Sequence, residues 1–145
     1  MDDLEVRVAD TERERDDAFA VRHEVFVEEQ GVDETVEYDV YDETATHFVA
    51  YDGDDPIGAA RLREYDDGIG KVERVAVCKP RRETGVGRAL MDRLESRADT
   101  LGFDRLVLHS QTQAAGFYRS LGYERHGEVF EEAGIPHVEM WTSLE

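Results

Sequence analysis

The chain has 145 residues, and 35 Asp plus Glu against 17 Lys plus Arg give it a formal charge of −18. That balance argues against nucleic acid or a bare anionic membrane as partner, because binding phosphates takes cations that displace counterions. No run of about 18 apolar residues is present to span a bilayer, the start MDDLEVRVAD lacks the basic-then-apolar order of a signal peptide, and the lone Cys78 permits neither an intrachain disulfide nor a multi-cysteine metal site.

Leu4 to Val8 alternates apolar and polar residues and predicts a short strand. Asp10 or Thr11 is the expected N-cap of a helix reaching about Glu29, with Ala18, Phe19, Val21, Val25 and Phe26 at helical spacing and Gly31 beyond its end. Residues 46–51 and 57–65 read as strands joined across Asp52-Gly53-Asp54-Asp55-Pro56. The turn from Asp66 to Gly70 leads into a strand from Lys71 to Val77. A helix from about Gly85 to Thr100, ended by Gly102, precedes a buried strand at 105–109. A second helix, 113–121, ends at Gly122, and two strands, around 124–130 and 137–144, flank a turn from Glu131 to Pro136. Strands with interspersed helices indicate an α/β fold, a mixed sheet covered by helices in one domain over residues 1–145. A cytoplasmic protein is expected.

The charge is uneven. Residues 71–97 carry eight cations against four anions, a local +4 in an otherwise acidic chain, which points to an anionic ligand there unless the arginines pair with helix acids, as Arg88 with Asp92. Only Lys71 and Lys79 are lysines. Acidic, lysine-poor surfaces resemble those of proteins from salt-loving cells, so a halophilic archaeon is the expected source and the acidity says little about the substrate.

The stretch from Val75 to Leu90 places a strand, a basic turn and two glycines at a helix N-terminus. The first amides of a helix have no acceptor of their own and the dipole adds about half a positive charge there, so a phosphate sits well on them. Two glycines serve helix packing or a tight turn equally well. The dinucleotide fingerprint fails at Leu90, and the Walker pattern is absent.

What remains is RxxGxG from Arg82 to Gly87, followed by Ala114-Ala-Gly-Phe-Tyr118-Arg-Ser-Leu-Gly122-Tyr123. This pair of segments resembles the GCN5-related N-acetyltransferase (GNAT) superfamily. The segment Val21 to Gly31, then Asp42, Ala45 and His47, then Glu132 to Met140, are similar to its ElaA-like subgroup. The resemblance implies a mostly antiparallel sheet of six to seven strands flanked by about four helices. It also implies acetyl-CoA as acetyl donor, a small-molecule or protein amine as acceptor, and a monomer or homodimer. On that basis Val75, Ala76 and Val77 bind the pantetheine, Arg82, Glu83, Thr84, Gly85, Val86, Gly87 and Arg88 receive the pyrophosphate, and Phe117 lies beside the cofactor. Many family members carry an asparagine before the second helix. Here Thr112 lies at about that place, and Gln111 takes over its contact.

Amide formation from a thioester needs an unprotonated amine, oxyanion stabilisation and a proton for the thiolate. Tyr118 is the candidate acid, by resemblance, with core packing as the alternative. Glu73, in period two with Val75 and Val77, is a candidate base or a salt-bridge partner, and His109 is a second candidate base or a structural hydrogen-bonding group. By resemblance the acceptor pocket draws on Arg22, Glu28 and Glu29, with a solvated helix face as the alternative for either glutamate, and His47 and His137 are further candidates. Cys78 reads as a buried small residue, and the five dispersed histidines give no metal site. A non-catalytic acyl-CoA sensing module is the competing reading, and an acyltransferase like the acyl-homoserine-lactone synthases is a third.

Overall fold

The computed structural model describes residues 3–144. Strands β1 (Leu4–Val8), β2 (Thr46–Asp52), β3 (Asp55–Asp66), β4 (Ile69–Val77), β5 (Arg105–Gln111), β6 (Glu124–Glu132) and β7 (Ile135–Ser143) form one sheet in the order β1-β2-β3-β4-β5-β7-β6. Neighbours are antiparallel except β4 and β5, which run parallel. Four α-helices, α1 (Glu12–Arg22), α2 (Glu34–Glu37), α3 (Val86–Thr100) and α4 (Ala115–Ser120), complete the expected mixed architecture.

Thr11 starts α1 with a capping box: its hydroxyl accepts from the Glu14 amide, and the Glu14 carboxylate accepts from the amides of Thr11 and Asp10. The expected single helix to Glu29 is corrected beyond Arg22, where His23–Glu29 is a π-helical segment and the Gln30 amide reaches back to the Val25 carbonyl. Helix α3 buries Val86, Leu90, Leu94 and Ala98 at four-residue spacing, with Met91 beside them. This stripe packs on Phe48, Leu62, Leu106, Leu108 and Met140. On the opposite face Ala18, Val21 and Val25 pack on Val49, Ala59 and Ala76.

Two irregularities position the site. Strands β4 and β5 pair only from Ile69 opposite Arg105 to Val72 opposite Leu108, and part beyond that point. Just past it β4 bulges: Glu73 pairs with Arg61 and Ala76 with Ala59, so three steps on β4 meet two on β3, and Arg74 takes φ 57°. The bulge breaks the period of two. Glu73 faces the α1 side with Ala76, while Val75 and Val77 pack into the α3 layer, which corrects the shared facing expected from the sequence. At the C-terminal end the expected six-residue turn tightens to Ala133-Gly134, both at positive φ (54° and 74°), as a type I′ hairpin turn requires.

Candidate active site

The parting of β4 and β5 opens a cleft of about 590 Å³, within the range of small-molecule sites. Its walls include Glu73, Val75, Ala76 and Val77 from β4, His109 and Gln111 from β5, Tyr118 from α4, and Arg82 and His137. These sequence-predicted residues are therefore brought together. Phe26, Gln30, Val32 and Val36 close the α1 side.

The cleft lining reaches Arg82, three residues ahead of the Gly85 that precedes α3. Gly85 caps that helix at φ 93°, a conformation that favours glycine, and no side chain caps its first amides. A Cβ on Gly87 would lie 3.1 Å from Phe117 Cζ, so the absent side chain lets α4 close on the helix start. The Arg82 side chain turns away from these amides: its Nε donates to the Val77 carbonyl (2.9 Å), and Nη1 and Nη2 grip the Glu29 carboxylate at 2.6 and 2.7 Å. Arg81 pairs with Asp52 and Asp55. Gln111 likewise donates to Gln30 (2.8 Å), so residues 29 and 30, delivered by the π-helical segment, bridge both lips of the cleft. Three of the eight cations of the basic island, Arg74, Arg81 and Arg82, are thus paired with acids from elsewhere in the chain. Arg88 stays exposed, and among the described residues it forms no ion pair, with Asp92 or otherwise. Arg88→Ala is accordingly expected to weaken binding of acetyl-CoA, the donor that the sequence resemblance implies, several-fold in calorimetry at unchanged melting temperature, a surface cation being structurally neutral. Arg82→Ala is expected to lower both.

Tyr118 is 8% exposed, lines the cleft, and donates its hydroxyl to no protein group among the described residues. Burial pushes its phenol above the usual tyrosine range, so it stays protonated at neutral pH. Phe117 and Tyr123 fix the ring by edge contacts at 5.0 and 5.9 Å. Cys78, by contrast, has its thiol pushed up to about 12 by burial and by Glu24, which leaves it inert.

The other end is built on buried charge. Glu73 receives Arg61 Nη2 and Arg63 Nε, each at 2.7 Å, with Lys71 Nζ at 3.3 Å. Burial would raise this carboxyl, but Arg63, Arg61 and Lys71 outweigh it and hold it at about 2. Such a group is a poor proton acceptor near neutral pH. Arg61, fully buried, also binds Asp39 (2.7 Å) and Asp42 (2.9 Å), and Arg22, equally buried, binds Glu37 (2.9 Å) and Asp42 (2.7 Å). The bulge residue Arg74 donates to the carbonyls of Glu37 and Val36 and to Asp39, which fastens the α2 loop over the cleft.

Three acceptor-pocket expectations are corrected by this arrangement. Arg22 is an internal strut outside the cleft lining, because its guanidinium is consumed by Glu37 and Asp42. Glu28 is exposed and pairs with His23. His47 is buried against Phe19, donates through Nε2 to the Asp42 carbonyl, and lines a separate depression. Burial raises the Asp42 carboxyl, yet Arg22 and Arg61 bring it to about 2. Glu73 and Asp42 thus have folded pKa values below their unfolded ones. Their contribution is present above about pH 4.5 and is lost as pH falls toward 2, so the melting temperature is expected to drop between pH 4.5 and 2.

Sequence reasoning missed Asp39, Tyr41, Arg63, Arg74 and Glu132 as cleft residues. Glu132 Oε1 lies 3.1 Å from His109 Nδ1 and its Oε2 3.8 Å from His137 Nε2, while His109 Nε2 lies 3.3 Å from Glu139 Oε1.

The acetyltransferase (GNAT) domain family matches residues 9–144. The uncharacterized N-acetyltransferase YjcF of Bacillus subtilis is 45% identical over 134 residues, covering 92% of this chain and 95% of the relative. A crystal structure from Lactobacillus plantarum superposes with a TM-score of 0.91 at 33% identity, covering 98% of this chain and 99% of that one. Escherichia coli ElaA superposes with a TM-score of 0.82 at 26% identity, covering 95% of this chain and 97% of that one. The chain belongs to the GNAT acetyltransferase family.

Proposed function

We propose that this protein transfers the acetyl group of acetyl-CoA directly to a primary amine within a ternary complex. The observation that carries the reading is the parting of β4 and β5 beyond Val72 and Leu108, which leaves backbone of Val75 to Val77 without a β5 partner beside the uncapped start of α3. The pantetheine hydrogen-bonds to that strand edge, and the pyrophosphate rests on the first amides of α3 with Arg88 alongside. A backbone amide in the bulged segment polarises the thioester carbonyl. Tyr118 gives its proton to the departing thiolate, whose conjugate acid has a pKa near 8.5.

The acceptor enters from the side formed by Phe26, Val32, Val36 and Ile135. Glu73 positions rather than titrates, since its three cations keep it ionised. No helix of the described residues is long and apolar enough to cross a membrane, which fits a cytoplasmic role. The excess of acids over the only two lysines supports adaptation to a high-salt cytoplasm.

The test is a thiol-release screen over polyamines, amino sugars, amino acids and peptides, run in molar KCl and at low salt. Release with at least one amine, strongest in KCl, is expected. Tight acetyl-CoA binding with no release for any amine would instead identify a sensing module.

A further inference from the structure

The ion pairs behind the cleft form one closed network, and its charges do not cancel. Arg22 pairs with Glu37 and Asp42, Arg61 with Asp39, Asp42 and Glu73, Arg74 with Glu37 and Asp39, and Arg63 and Lys71 with Glu73 alone. Five cations therefore share four carboxylates, an excess of one positive charge within a chain of formal charge −18.

The excess sits with Arg63 and Lys71, because both depend on a carboxylate that Arg61 also holds. Arg63 donates Nε and Nη2 to Glu73 (2.7 and 3.5 Å), and its Nη1 has no protein partner among the described residues. The Lys71 ammonium ends a side chain only 10% exposed and meets one carboxylate oxygen at 3.3 Å, which leaves most of its three donors idle. Both residues line the cleft. Tyr41 and Tyr65 flank them, with the Arg63 guanidinium 3.9 Å from the Tyr41 ring centre and Lys71 Nζ 5.2 Å from that of Tyr65, but the rings bring no charge to cancel theirs. On β5 the neighbour of Lys71 is the apolar Val107. Glu132, across the cleft, pairs with His109 and His137 and with neither of the two cations among the described residues.

We propose that Lys71 and Arg63 bind a carboxylate carried by the acceptor, which is a small amino acid whose amine lies several bonds from that carboxylate. A buried cation without a counterion is costly, and the carboxylate both supplies the counterion and accepts from the idle donors. A polyamine would instead add cations to a wall that already has too many. Spacing along β4 sets the length of the acceptor. Strand residues rise about 3.3 Å each, and the lean of Lys71 toward Glu73 leaves roughly 7 Å from its ammonium to the level of Val75, where the thioester site begins. An α-amine, one carbon from its own carboxylate, falls short of that span, whereas an ω-amine or the side-chain amine of a basic amino acid reaches it.

The proposal rests on the acetyl-transfer reading, and the test separates the two. Wild type, Lys71→Met and Lys71→Arg are assayed for thiol release with amines matched except for the carboxylate: 6-aminohexanoate against pentylamine, and 4-aminobutyrate against propylamine. The wild type is expected to favour the carboxylated member of a pair by about tenfold or more in kcat/KM. Lys71→Met is expected to erase that preference and Lys71→Arg to retain it. Because Glu73 keeps Arg61 and Arg63, the free Lys71→Met protein is expected to melt no lower than the wild type, and a clear fall would overturn the reading of Lys71 as surplus charge. Equal use of both members by the wild type, or a preference that survives in Lys71→Met, overturns the carboxylate site and leaves acetyl transfer standing. A wild type that releases no thiol with any amine overturns acetyl transfer. Calorimetry with hexanoate then reads the site alone: binding to the wild type that is lost in Lys71→Met upholds it, and absence of binding overturns it.

Discussion

Arg61→Met is expected to lower the melting temperature by roughly 10 °C, the largest stability effect of any single substitution near the cleft. Arg61 is fully buried and neutralises Asp39, Asp42 and Glu73 at 2.7 to 2.9 Å. Methionine fills much of the same space, so packing changes little, but three carboxylates lose their shared cation inside the protein. Breaking a buried pair from one side costs about 3–5 kcal/mol, most of it the uncompensated charge left behind. The same logic makes Arg61→Met with Glu73→Gln more stable than the sum of the single changes, a coupling that a double-mutant cycle in thermal or urea melts reads directly. Additive effects would show that Arg61 and Glu73 do not act on one another.

Tyr118→Phe is expected to reduce kcat about 100-fold while moving the melting temperature hardly at all. The two effects separate because the hydroxyl has no protein partner among the described residues, so its removal strands nothing. The phenyl ring keeps its edge contacts with Phe117 and Tyr123. Acetyl-CoA affinity should survive, since the loop at α3 is untouched. A variant with unchanged turnover would remove Tyr118 as proton donor and leave it a packing residue.

The loop proposed to take the pyrophosphate was legible in the sequence because its signals are local. Gly85, Gly87 and Arg88 stand beside the helix start they serve, and Tyr118 lies in a short segment with its own pattern. The acceptor half was not, because its contacts span the chain: Arg74 reaches Asp39 over 35 positions, and Arg22 reaches Glu37 over 15. The pairing of Arg82 with Glu29, 53 positions away, is hidden for the same reason. Alternation along β4 misplaced Val75 and Val77 relative to Glu73 because the bulge sits at an arginine, with no glycine to signal positive φ. Glu132 was assigned to a turn because Ala133-Gly134 lacks the Asn-Gly signature of a two-residue hairpin.

The short ladder between β4 and β5 also bears on how the molecule moves. Four residue pairs join residues that are 36 apart in sequence, whereas β5 and β7 pair over seven. The sheet is therefore two plates, β1 to β4 and β5 to β7, meeting at a weak seam, with residues 29 and 30 tying its open end through Arg82 and Gln111. A ligand lodged in that seam binds both plates at once and stabilises only the closed molecule. Amide hydrogen exchange at Ile69 to Val72 should then slow when the gap is filled, so the sheet itself reports occupancy.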